Sequence, residues 1–133
     1  MMAAEIDFGQ VEWFQTVTPA EYQKTKKWLS QFRKMKTMLN EFGAAPEDIQ
    51  RLVQDIEAAC RVIIDEDSKK IIEMRYMDGM AYKIIVMRYE SIMSESTVNR
   101  RLIEGIESVA RTLKMLGYLG LAERLKNPVT ARV

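Results

Sequence analysis

Histidine is absent from this chain of 133 residues, and cysteine occurs once, at Cys60. Without imidazole, the usual general base and the usual zinc ligand are both missing. That argues against zinc enzymes, serine-histidine triads and cysteine-histidine pairs. A lone cysteine forms no internal disulfide, which fits a reducing compartment. Long apolar runs are missing too: none exceeds four residues, as in Ile84-Ile85-Val86-Met87, whereas a membrane-spanning helix needs roughly 20. Met1 to Gln10 carries Glu5 and Asp7 but no basic residue, so no secretory signal is expected there. No repeat, Gly/Ser linker or low-complexity stretch divides the chain. No nucleophile–base pair, phosphate loop or metal-ligand spacing appears, so no enzyme, metal or cofactor is expected. The acidic triplet Asp65-Glu66-Asp67 reads as a solvated turn.

What is present is a folded-protein composition, 47% hydrophobic and 29% charged, with apolar residues at helical spacing. The net charge of +1 hides an asymmetry. Residues 1–67 hold 8 Lys/Arg against 12 Asp/Glu, or −4; residues 68–133 hold 12 against 7, or +5. A basic C-terminal half is a weak electrostatic footprint of a nucleic-acid surface.

The length fits one compact domain or two helical subdomains sharing a core, with a boundary expected between residues 67 and 68. In residues 1–67 we expect an antiparallel helical hairpin. Irregular residues lead in, with Phe8, Val11, Trp13 and Phe14 packing back on the body. Thr18-Pro19-Ala20-Glu21 then carries a capping box with proline at the first helical position. Trp28, Phe32, Met35, Leu39 and Phe42 make one stripe, and Gly43 ends the helix. Pro46 restarts a helix whose Ile49, Leu52, Val53, Ile56, Cys60 and Ile63 share a face. The first helix is basic outside (Lys24, Lys26, Lys27, Arg33, Lys34, Lys36) and the second acidic (Glu47, Asp48, Asp55, Glu57), so opposite charges line the expected seam. The basic run reads as a solvated face or as a second contact to DNA backbone or a partner. Most of the ten methionines sit on or beside apolar stripes and read as core filling.

From residue 68 the elements shorten. Ser68 can cap a helix running to Asp78-Gly79, a second runs from Ala81 to Glu90, and a third from Ser94 to Leu116. A short final helix covers Leu121 to Leu125. Short helix, turn, short helix, turn, long helix outlines a tri-helical DNA-binding unit. On the third helix Val98, Leu102, Ile106, Val109 and Leu113 face a core. Ser96, Asn99 and Arg100 lie roughly opposite, and Thr97 and Arg101 flank the buried stripe. Hydroxyls and free N–H groups at a helix start can hold a phosphate. Arg pairs two-pronged with guanine and Asn with adenine. Gly105, inside this helix, marks a close crossing or a bend.

Lys70-Ile71-Ile72-Glu73-Met74-Arg75-Tyr76-Met77-Asp78-Gly79, then Tyr82, then Ser94-Glu95-Ser96-Thr97-Val98-Asn99-Arg100-Arg101, resembles region 4 of bacterial sigma factors. More closely it resembles the phage-encoded ArpU/RinA-like transcriptional regulators. The resemblance covers about residues 68–116. It implies an all-α regulator of phage or prophage origin, acting on double-stranded promoter DNA in the bacterial host cytoplasm. Carried over, Ser94, Ser96, Thr97, Asn99, Arg100 and Arg101 form the DNA-facing set, while Arg75 and Tyr76 brace the supporting helix. The sequence departs from the family where a small residue normally lets two helices cross. Arg88 stands there, or Met87 if the turn is one residue longer.

Two other readings remain open at this level. The unit could be a protein-interaction module that docks on RNA polymerase or another regulator. It could equally be a DNA-recognition subunit of a phage packaging machine, of the small-terminase type. The stripe from Trp28 to Phe42 could be buried within one chain or shared in a homodimer.

Overall fold

The computed structural model describes residues 17–43 and 46–119, all of whose regular structure is helical. The expected packing of Phe8, Val11, Trp13 and Phe14, the side chain of Phe42, and the expected helix at 121–125 lie outside the described residues.

Helix α1 spans Pro19–Phe42. Thr18 Oγ1 accepts the Glu21 N–H at 3.1 Å, and Glu21 Oε1 accepts the Thr18 N–H at 3.0 Å, so two orphan donors are satisfied reciprocally. At the other end Gly43 takes φ +66 and donates its N–H to the Leu39 carbonyl, a conformation other residues reach at a steric cost. Helix α2 spans Glu47–Arg61, its first turn holding Glu47 and Asp48 against the positive end of the helix dipole. Lys36 of α1 pairs with Glu57 of α2, a contact between the two oppositely charged outer faces.

Helix α3 spans Glu66–Ile72. Its cap is Asp65, not Ser68: Asp65 Oδ2 accepts the Ser68 N–H at 2.8 Å. That bond is the main reason the Asp65 carboxyl is held below the usual carboxylate range. The acidic triplet is therefore a helix start rather than a bare turn, and Ser68 sits one turn inside, 1% exposed. The helix then widens. Glu73–Met77 form a π-helical turn, closed by the Asp78 N–H on the Glu73 carbonyl at 2.9 Å. Gly79 follows with φ +74, a conformation that strains other residues, and the Arg33 guanidinium lies across it.

Helix α4 spans Tyr82–Tyr89 and helix α5 spans Glu95–Met115. After α5 the chain reverses at Gly117 (φ +95). Tyr118 then donates its hydroxyl to Asp55 at 2.6 Å and meets the Trp28 ring edge-on at 5.9 Å. Burial and the Asp55 bond push the Tyr118 pKa up to about 12.

Two apolar clusters result. The larger draws on α1 (Leu29, Phe32), α2 (Val53, Ile56, Ala59, Cys60), α3 with its π turn (Ile72, Tyr76) and α5 (Ile106, Val109, Leu113). It crosses the 67/68 position, so both halves share a core. On α1 the buried residues are Glu21, Thr25, Leu29 and Phe32, while Trp28, Met35 and Leu39 are half-buried. The seam is turned from the expected stripe because α1 is packed by α5 and the π turn as well as by α2. The smaller cluster is Ile71, Ile85, Tyr89 and Val98, edged by Met74, Met80, Tyr82, Val86, Met93 and Leu102. The adjacent Ile71 and Ile72 thus serve different clusters.

Gly105 explains how α3 and α5 meet. A Cβ there would lie 2.4 Å from Ile72 Cγ1 and 3.3 Å from the Ser68 carbonyl oxygen. Of the two expected roles, the close crossing is the one observed.

Candidate nucleic-acid interface

The candidate site begins at the cap of α5. Ser94 Oγ accepts the Thr97 N–H at 3.2 Å and lies 3.1 Å from Ser96 Oγ and 3.0 Å from Thr97 Oγ1. Three hydroxyls therefore crowd one helix start, where backbone N–H groups are left without intrahelical partners. The α5 dipole favours negative charge at that point. Glu95, itself exposed, brings one such charge.

The buried side of α5 holds its outer side in place. Val98, Ile106, Val109 and Leu113 are buried and Leu102 is half-buried. Ser94, Ser96, Asn99 and Arg100 are exposed and Thr97 is half-buried. Arg101 is engaged differently. Its Nη1 lies 3.2 Å from Glu104 Oε1 and 3.7 Å from Asp65 Oδ1, and its Nε is buried without a hydrogen-bond partner among the described residues. It ties the start of α5 to the cap of α3. Five of the six expected residues thus share the open start of α5, and the sixth works at a helix joint.

The supporting elements fit the bracing expected of Arg75 and Tyr76. Tyr76 is buried in the larger cluster, and the Arg75 guanidinium sits 5.7 Å from its ring centre and donates to the Met80 carbonyl at 3.3 Å. Arg88 and Met87, which stand where ArpU/RinA-like regulators carry a small residue, do not obstruct the α4–α5 contact. Arg88 and Met87 are both exposed, and Ile85 and Tyr89 make the packing against Val98.

Two further bases, Lys83 and Arg88, are exposed on α4. A helix that precedes a reading helix crosses the DNA backbone, so these belong with the candidate set. Their signal was the interruption of an apolar helix by charge. The basic run of α1 is partly committed within the chain: Lys36 to Glu57, Lys24 over the Trp28 ring at 5.7 Å, Arg33 across Gly79.

Among the described residues no group of acidic or cysteine side chains could hold a metal ion, and no helix is long and apolar enough to cross a membrane. Cys60 is buried, and burial with nearby Glu73 and Glu57 pushes its thiol up to about 12. Thiolates, not thiols, are the reactive form, so this cysteine is a packing residue. No protein-family model matches the chain, and no curated protein or solved structure is significantly similar to it.

Proposed function

We propose that this chain is a sequence-specific DNA-binding transcription regulator, of phage or prophage origin, acting in the bacterial host cytoplasm. In this reading α1 and α2 form a helical hairpin, and α3, α4 and α5 form a tri-helical unit in which α4, the turn and α5 are the helix-turn-helix. The start of α5 enters the major groove, Asn99 and Arg100 read base edges, and Ser94, Ser96 and Thr97 hold a phosphate. Arg101 keeps the reading helix at a fixed angle to α3. The observation that carries the reading is the sidedness of α5: Asn99 and Arg100 are exposed on a helix whose other side is anchored by Val98, Ile106 and Val109. The likeness to ArpU/RinA-like regulators and sigma region 4 supports it.

Selection from a random duplex library, followed by sequencing, tests it. One enriched motif is expected, with affinity falling steeply as salt rises, because phosphate contacts release counterions.

A second reading draws on a separate feature. Ile84, Met87 and Ile92, on α4 and the turn after it, are 43%, 58% and 71% exposed, an apolar set that a protein partner such as RNA polymerase would cover. Absence of any gel retardation on genomic fragments at low salt and micromolar protein would favour that reading. A small-terminase-like ring would declare itself by a solution mass several times that of one chain; a homodimer would show twice that mass.

A further inference from the structure

Residues 22–40 hold six Lys or Arg and no Asp or Glu. Two of the six are engaged within the chain, Lys36 with Glu57 and Lys24 with the Trp28 ring. The other four, Lys26, Lys27, Arg33 and Lys34, are exposed, and their cationic groups make no hydrogen bond or ion pair among the described residues. Lys26 and Arg33 stand seven residues apart, about 10.5 Å at two helical turns, so they share one side of α1. Lys27 and Lys34 repeat that spacing beside them.

Arg33 alone of the four is held in place by the fold. Its guanidinium is laid on Gly79, so close that a Cβ there would fall 2.2 Å from Nη1. Gly79 stands three residues before Tyr82, the first residue of α4. Met80 and Tyr82 edge the same small cluster as Met93 and Val98, which bracket the start of α5. Tyr82 also lies within electrostatic reach of Glu95 at that start. The basic face of α1 therefore ends, through Arg33, at the entrance to α4, and α4 adds the exposed Lys83 and Arg88. Asp78, next to Gly79, and Glu95 bring opposing charge to this route, and neither forms an ion pair among the described residues.

A fixed guanidinium with unspent donors suits a phosphate oxygen, which it can meet with two parallel N–H groups. Lysines at two-turn intervals suit a row of phosphates as point charges. An acidic protein surface would match the charge equally, but the continuity of this face with α4 and the start of α5 favours DNA. We propose that the outer face of α1, at Lys26, Arg33 and Lys34, is a second contact to the DNA backbone, and that Arg33 joins it to the helix-turn-helix. The proposal deepens the DNA-binding reading and rests on it.

Binding of the full chain to a short mixed-sequence duplex, followed by fluorescence anisotropy over a series of salt concentrations, tests it. Each phosphate contact adds about 0.9 to the slope of log K against log salt. The triple variant Lys26→Gln, Arg33→Gln, Lys34→Gln should flatten that slope by about 2–3, and Arg33→Gln alone by about 1. If loss of Arg33 disturbs the turn at Gly79, Lys26→Gln with Lys34→Gln serves instead, with a flattening of about 2. Arg51→Gln with Arg61→Gln, which removes two exposed bases of α2, should leave the slope unchanged. A slope untouched by the α1 variants, in a chain that still binds, would overturn the proposal and leave the DNA-binding reading standing. Equal flattening by the α2 variants would overturn it as an effect of net charge alone. A full chain that binds no duplex even at low salt would overturn both.

Discussion

The two apolar clusters differ in size and in duty. Among the described residues the larger joins α1, α2, α3 and α5 and buries fourteen; the smaller joins α3, α4 and α5 and buries four. Only the smaller one lies beneath the start of α5, where the candidate DNA-reading residues stand. Stability and presentation of the site are therefore carried by different side chains. Low-stability units tend to open locally before the whole molecule unfolds. α4 is the element most exposed to this, with only Ile85 and Tyr89 buried.

The largest effect should come from truncating either cluster, and the comparison rests on how the losses spread. Ile56→Ala in the larger cluster should cost about 2–5 kcal/mol of global stability, read by denaturant unfolding. Ile85→Ala should speed amide exchange in α4 and at the start of α5 while leaving α2 protected. Equal loss of protection throughout would mean one cooperative core.

Gly105→Ala tests the crossing that connects the clusters. The added methyl would meet Ile72 Cγ1, a branched side chain fully buried between helices. Overpacking of this kind costs about 1–3 kcal/mol, against about 1 kcal/mol gained in helix propensity. A net loss, measured by thermal unfolding, is expected; a gain would mean that α3 and α5 part without strain.

Asp65→Ala removes the α3 cap and one partner of Arg101 together. Loss of such a cap costs about 0.5–2 kcal/mol. If Arg101 positions the reading helix, DNA affinity should fall as well, and Arg101→Lys should restore less than Arg101→Gln removes.

The smallest effect is that of acid on the Glu21–Lys114 pair, which joins α1 to α5. Glu21 is buried, which pushes its pKa up. The Thr18 N–H and the Lys114 ammonium, 3.1 Å away, outweigh burial and leave the pKa lowered. A lowered carboxylate pKa stabilises above the unfolded value, and that contribution is lost as pH falls through the folded one. Stability should therefore decline below the ordinary glutamate range, and Glu21→Gln should flatten the decline.

Much of this was readable from local chemistry. The Thr18–Glu21 box, the Gly43 stop, the Ser94 cap and the buried stripe of α5 each depend on residues within one or two turns, and each is where the spacing put it. What needed the third dimension was missed. Asp65 and Ser68 are both good caps three residues apart; the choice fell to Asp65 because Ser68 is buried against α5 at Gly105. The stripe of α1 centres on Leu29 and Thr25 rather than Trp28 because three elements pack on that helix. The tether of Arg101 to Asp65 spans 36 positions, and no local pattern signals it. At the site, exposure of Asn99 and Arg100 followed from helical periodicity alone, whereas the structural engagement of Arg101 did not.

The most direct measurement is DNA affinity and base preference of Arg100→Ala beside those of Lys26→Ala, both on exposed side chains, by fluorescence anisotropy on the selected site and on single-base variants of it. Arg100→Ala should lose about 1–3 kcal/mol and relax the preference at one base pair, with a small, sequence-independent change for Lys26→Ala. Unchanged affinity and preference in Arg100→Ala, with the fold intact, would contradict the DNA-binding reading.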